Sequence, residues 1–325
     1  MCQYDDSFLE SQDFTKTILH PLVIAEVPMH LLGGYILIFK TPAKMSSIKW
    51  SMFALHAWSS LLDIHITSIT TPVFYFPFTA GRIIGLVSIL DVYKPLRLYM
   101  MTAILAGTVT SIVGLFENRY NALKFQNKIS DNWQMVHLLL NYLMAFTFMV
   151  PSLLIVPDQA MAIASVRKQL PCVPSKVFDD PEFFVMSMDT RLMTYSTAAL
   201  SVIFCTQIFF FFFRILRFLS NKENVSENTY KIQRKFYAAL SIQLAIPLIF
   251  LLTPVLYMIF AFMAGYFNQI LNNLLFVMVA LHGLVSTCVM LSVHAPYRES
   301  VRKLICFWRK DKHCPTKRMS IVVSL

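Results

Sequence analysis

Seven long apolar stretches, joined by short polar connections, limit this chain to very few folds. A helix needs about 20 mostly apolar residues to cross a bilayer, and the stretches at 17–39, 48–72, 96–118, 134–157, 191–218, 236–262 and 270–294 all reach that length. Composition supports the same reading: 14% of the 325 residues are charged and 56% hydrophobic, whereas an ordinary soluble domain carries about 25% charged residues. With 28 Phe, 18 Met and only 8 Gly, the chain is neither disordered nor low in complexity. The expected fold is an all-α integral membrane protein, a bundle of seven transmembrane helices over 17–294. An N-terminal segment 1–16 precedes it and a basic tail 295–325 follows. No internal repeat relates the halves, which counts against the inverted-repeat plan of many transporters.

Lysine and arginine divide unevenly between the two sides of such a bundle. Segments 40–49, 119–133, 214–235 and 295–325 carry 20 of them and the opposite connections 8. Basic loops stay in the cytoplasm, so the N-terminus, with its acids Asp5, Asp6, Glu10 and Asp13, is expected outside and the C-terminus inside. The net charge of +10 then faces anionic membrane lipids, and nucleic acid is not an expected partner. Within the tail, Ser300 to Trp308 mixes apolar and basic residues as a short amphipathic helix on a membrane surface does. No basic segment precedes the first apolar run, so a cleaved signal peptide is not expected.

Motifs for catalysis are missing. There is no H-E-x-x-H, no G-x-S-x-G, no glycine-rich phosphate loop and no paired-cysteine spacing for a metal. The expectation is therefore a non-enzyme without cofactor or metal. Of six cysteines, Cys205 and Cys288 lie in apolar spans and act as small core residues. Cys2 and Cys172 fall on the outer side, where they either pair in a disulfide or stay as two thiols.

Ionisable groups inside a bilayer are costly and mark function by default. Asp63 in the second span and His282 in the seventh can share a polar network with Ser286 and Thr287 that re-pairs as helices move, or form a fixed packing knot. Glu26 sits in the first span beside Pro28 and His30. At the cytoplasmic end of the third span, Phe116-Glu117-Asn118-Arg119-Tyr120 sets an acid, an arginine and a tyrosine where a helix leaves the membrane. Arg119 there either serves a partner or anchors at the interface. Pro247 and Pro254 each remove a backbone donor from the sixth span and make it a candidate hinge. The longest outer connection, 158–190, is acidic and either caps a cavity or is simply solvated.

Taken in order, several short stretches resemble the nematode seven-helix chemoreceptors of serpentine receptor class H. They are Thr41-Pro42 with Met45; Trp58 with Leu62-Asp63; Phe116 to Tyr120; Pro171-Cys172; Ile242-Gln243 with Ile246-Pro247; and His282-Gly283-Leu284 with Ser286-Thr287, then His294, Pro296, Tyr297 and Arg298. The resemblance implies a GPCR-like bundle that binds an environmental small molecule, activates a heterotrimeric G protein and resides in the plasma membrane of a sensory-neuron cilium. It gives Glu117, Arg119 and Tyr120 the place of the acid-arginine-tyrosine switch, with Tyr297 and Arg298 at the same coupling end. The pattern departs from the commoner form in having Asn118 between acid and arginine. Residues 73–99 also hold no cysteine to bridge the third helix to the second outer loop. Under this reading Thr102, Tyr195, Tyr257 and Phe276 are the candidates to line a ligand cavity. The competing readings are a channel or transporter for a small solute and a chaperone-like membrane protein that serves other receptors.

Overall fold

The computed structural model describes residues 4, 7–90, 92–125, 131–220, 227, 230, 238–239, 241–243 and 245–309. Helix α1 (Gln12–Phe39) begins five residues before its apolar run, because the Ser11 side chain accepts the Phe14 N–H at 3.2 Å and caps it. Helix α2 (Ser46–Ile64) continues as a π-helical turn His65–Thr70. There follow strands β1 (Pro72–Phe74) and β2 (Ala80–Ile83) and helix α3 (Lys94–Phe125). Helix α4 (Asp131–Thr147) is extended by the short α5 (Val150–Leu154). The connection to the fifth span holds α6 (Gln159–Gln169), α7 (Ser175–Phe178) and β3 (Phe183–Val185). Helix α8 (Arg191–Ser220) is that span. The sixth passes through a π-helical turn Leu248–Leu252 into α9 (Thr253–Ala264), and α10 (Gln269–Val293) and α11 (Ala295–Arg309) complete the chain.

Six of these segments, Gln12–Phe39, Lys94–Lys124, Asn132–Leu154, Arg191–Ser220, Ser241–Ala264 and Gln269–Val293, are long and apolar enough to cross a membrane. The seventh bundle member, α2, is more polar, and its position explains why. It packs among α1, α3 and α10, and its His56, Ser59 and Asp63 are buried. A helix screened from lipid by three neighbours has no need of an all-round apolar surface. The amphipathic pattern of the tail folds as α11: Tyr297, Val301 and Leu304 pack on the apolar cluster of α1, α2 and α10, while Arg298, Arg302 and Lys303 are exposed.

One end of the bundle carries a cap that the apolar periodicity did not foretell. Strands β1, β2 and β3 form an antiparallel sheet in that order, with Val73 opposite Arg82 and Gly81 opposite Phe184. Successive strand residues point to opposite faces. Phe74, Phe76, Phe184 and Met186 therefore join the core of the helix bundle, while Val73, Tyr75, Phe183 and Val185 join a second core under α6 and α7. Burial pushes the Tyr75 phenol above its ordinary pKa, against the opposing influence of Arg82 beside it.

Charge fastens this cap. Arg82 pairs with Asp180 at 2.7 Å and Arg97, at the head of α3, with Glu182 at 2.5 Å, and Lys94 donates to the Pro181 carbonyl between them. Arg97 also donates to the Val92 carbonyl at 2.8 Å. Cys172 is disulfide-bonded, and Cys2 lies outside the described residues. The strand pairing and the Arg97 pair thus link the third helix to the second long connection where residues 73–99 offer no cysteine. Because Arg97 is only 2% exposed, Glu182→Ala strands a buried guanidinium. The expected cost is about 2 kcal/mol, less than for a fully buried pair because Glu182 is partly exposed. Thermal unfolding of the purified protein checks it, and a midpoint equal to that of wild type would remove the clasp from the account.

Candidate functional site

Below the cap lies a cavity of about 180 Å³, lined by α3, α8, the sixth span, α10 and Phe148 and Met149 of the fourth span, with Phe74 and Phe76 of the cap against it. Its walls are almost wholly apolar: Met101, Leu105 and Val109 from α3, Leu200 and Phe204 from α8, Leu251 and Met258 from the sixth span, Phe276 and Val279 from α10. Of the lining candidates, Thr102 and Phe276 are in this wall. Tyr195 and Tyr257 are not. Thr197, Ser201 and Cys205 line the cavity, and at 100° per residue Tyr195 lies on the opposite side of α8, where it is 59% exposed. The Tyr257 hydroxyl turns instead to the Asn272 side-chain oxygen at 3.1 Å.

Pro247 and Pro254 bracket the π-helical turn Leu248–Leu252, and both prolines and Leu248, Leu251 and Leu252 line the cavity. Proline removes the backbone donor that would close a regular turn, and π-turns recur where helices serve function. The irregular part of the sixth span is therefore a wall of the cavity.

A polar cluster fills the space between α1, α2 and α10. The Asp63 carboxylate accepts the Gly283 and Leu284 N–H groups at 3.0 and 2.7 Å and lies 3.3 Å from the His30 ring nitrogen Nε2. A Cβ on Gly283 would stand 2.6 Å from Asp63 Oδ2 and 2.8 Å from the Ser59 carbonyl, so the helices touch where only glycine fits. Thr287 lies 3.4 Å from both His30 and His56, and His56 bonds the His30 carbonyl at 2.9 Å. Glu26, fully buried, accepts from Thr67 at 2.9 Å. The expected grouping of Asp63, His282, Ser286 and Thr287 is thus redrawn. His282 is buried without a hydrogen bond to Asp63, and Ser286 lines a separate small void with Gln243 and Ser59. Asp63 is satisfied by backbone and by His30, on the facing helix, so it does not reach the His282 ring.

At the opposite end of the bundle from the cap, Arg119 is buried, with Nη2 3.8 Å from the Met52 sulfur. The Tyr297 hydroxyl lies 4.0 Å from that sulfur and 3.1 Å from the Thr41 hydroxyl. Burial lowers the pKa of His294, at the turn into α11, to about 3, with the Arg119 charge as the second cause; burial likewise raises the Tyr297 phenol. Glu117 does not pair with Arg119. Its carboxylate meets His137 of α4 at 2.8 Å, and Asn141, which donates to the His137 carbonyl, in turn accepts from Gln207 of α8. Residues 117 and 119 diverge by about 200° on a helix, which puts the acid on the α4 side and the arginine on the α2 side. Asn118 ties α3 to α2 through Ser47 and Ser51, both at 2.8 Å. Tyr120 packs on Phe211, and Arg298 is exposed, bonded to the Ser292 carbonyl at 3.0 Å, outside the cluster.

His56, His137, Asn141 and Gln207 carry no spacing signal in the sequence, being isolated polar residues in three apolar spans. No group of three or more His, Cys, Asp or Glu side chains set to hold a metal occurs among the described residues.

The profile of one protein family, described as serpentine type 7TM GPCR chemoreceptor Srh, matches residues 10–307. The chain is also 27% identical over 309 residues to serpentine receptor class H-72 of Caenorhabditis elegans, an overlap of 93% of this chain and 89% of that protein.

Proposed function

The chain belongs to the Srh family of serpentine seven-transmembrane chemoreceptors, and from that premise we propose that it is a G-protein-coupled chemosensory receptor whose ligand occupies the cavity beneath the cap. One observation supports this reading most: the cavity shares a wall with the irregular π-turn of the sixth span, and another with α3, the helix that carries Arg119. A ligand shifts a conformational equilibrium only through different affinity for the two states. A molecule between α3, α8, α10 and the π-turn senses the relative placement of all four. Reseating the sixth span around it alters the far end of the bundle, where Arg119, Met52, Tyr297 and Thr41 meet.

In this proposal the capped end faces outward in the plasma membrane of a sensory cilium and the basic end meets a heterotrimeric G protein. The polar side chains gather between α1, α2 and α10 while the cavity beside them is apolar, an arrangement that favours a bound ligand over a solute path.

Filling the cavity tests the reading. Ala106 of α3 is a lining residue, and Ala106→Phe projects a ring into the space at a packing cost of about 1–3 kcal/mol. Surface delivery is expected to persist, while the response to any chemical that activates wild type in a screen is lost. An undiminished response with normal delivery would place the ligand elsewhere.

A further inference from the structure

The hydroxyl chemistry of the cavity wall narrows the ligand class, an inference that rests on the cavity being the ligand site. Four hydroxyls line the cavity, those of Thr79, Thr102, Thr197 and Ser201. Three have already committed their proton. Thr79 donates to the Ser187 carbonyl at 2.7 Å and accepts the Ser187 N–H at 3.0 Å. Thr102 donates back to its own helix, 2.9 Å from the Tyr99 carbonyl and 3.2 Å from that of Leu98. Ser201 donates to the Thr197 carbonyl at 2.7 Å. The Thr197 hydroxyl donates to no group among the described residues. It stands one turn before Ser201 on the same face of α8, and both residues line the cavity, which sets an uncommitted donor beside a lone-pair acceptor. No Asp, Glu, Lys, Arg or His among the described residues lines the space.

We infer that the preferred ligand is a small uncharged molecule, apolar but for one hydroxyl group, which accepts a hydrogen bond from Thr197 and donates one to Ser201. An apolar cavity of about 150 Å³ is large enough for benzene, so this one, at about 180 Å³, suits a ring or short chain bearing a single polar group. A charged ligand would be desolvated among Met, Leu, Val and Phe side chains without a counter-ion, which excludes amines and carboxylates in their ionised forms. A carbonyl compound uses the Thr197 donor alone. A hydrocarbon uses neither.

Binding of benzyl alcohol, benzaldehyde and toluene to the purified protein, followed by ligand-dependent thermal stabilisation, separates these cases. Each affinity is taken as a ratio between wild type and variant, so that partitioning of the probe into detergent cancels. Thr197→Val keeps the shape and removes the donor; it is expected to weaken benzyl alcohol and benzaldehyde by about three- to tenfold, the worth of one hydrogen bond, and to leave toluene within about twofold. Ser201→Ala is expected to weaken benzyl alcohol but not benzaldehyde, and Thr197→Ser to restore both. Equal ratios for all three probes, with binding still lost in Ala106→Phe, would overturn the hydroxyl assignment and leave the cavity reading standing. Probe binding untouched by Ala106→Phe would remove the cavity as the site, and this inference with it.

Discussion

Asp63→Ala is expected to be the most damaging single substitution in the bundle, with a loss of about 3–5 kcal/mol and little protein delivered to the cell surface. The carboxylate is fully buried and holds three partners, the His30 ring and the N–H groups of Gly283 and Leu284. Those N–H groups belong to the middle of α10, so one side chain of α2 fixes where α10 sits and also anchors α1. Glycine at 283 lets the helices meet at this point, and nothing bulkier than hydrogen fits against the carboxylate. Alanine removes the acceptor of the Gly283 and Leu284 N–H groups and the neighbour of the His30 ring in a buried site, and unpaired polar groups in such surroundings are costly. Asp63→Asn, which keeps one acceptor oxygen, is expected to fall between alanine and wild type. Thermal unfolding in detergent and surface labelling measure both variants. An Asp63→Ala protein that unfolds at the wild-type temperature and reaches the surface normally would show that helix packing alone sets the position of α10.

Arg119→Ala is expected to have the largest effect on signalling, with G-protein activation reduced at least tenfold while delivery persists. Removing a buried charge together with its desolvation cost is often tolerated by the fold, so the loss falls on function more than on stability. The expectation rests on where the side chain is. It points between Met52 and Tyr297 at the end of the bundle away from the cap, and the Glu117 carboxylate two residues earlier is engaged by His137 on α4. The acid therefore organises the α3 and α4 contact, which leaves the arginine to rearrange with α2 and the start of α11. In the proposed mechanism that rearrangement, driven from the cavity through the sixth span, exposes the guanidinium to the partner.

Much of this architecture was legible in the sequence. The long apolar runs placed the spans, the tail pattern placed α11, and Pro247 and Pro254 marked the irregular turn of the sixth span. Depth along the helix could be read from position in a run, and Thr102 and Phe276 do lie at the depth of the cavity. Rotation about the helix axis could not, and Tyr195 failed on that point alone. Capping by 158–190 was one of two open readings, but the strands of the cap stayed hidden for a different reason. Residues 72–76 and 183–186 are buried on both faces, so their strands show no alternation of polar and apolar residues, and a short apolar run of this kind has no distinctive period. The pairings of Asp63 with His30 and of Glu117 with His137 each join successive helices, but scattered polar residues in an apolar run give no clue to which residue of the neighbouring helix they meet.

The central claim is that this chain is a receptor which turns over a G protein through Arg119. Its most direct test is nucleotide exchange on purified heterotrimeric G proteins in membranes that hold the wild-type protein or Arg119→Ala at matched surface density. The account predicts exchange above that of membranes without the protein, and a fall to that background in Arg119→Ala. Exchange at background for wild type across the G-protein subtypes, or equal exchange in the two proteins, would contradict it.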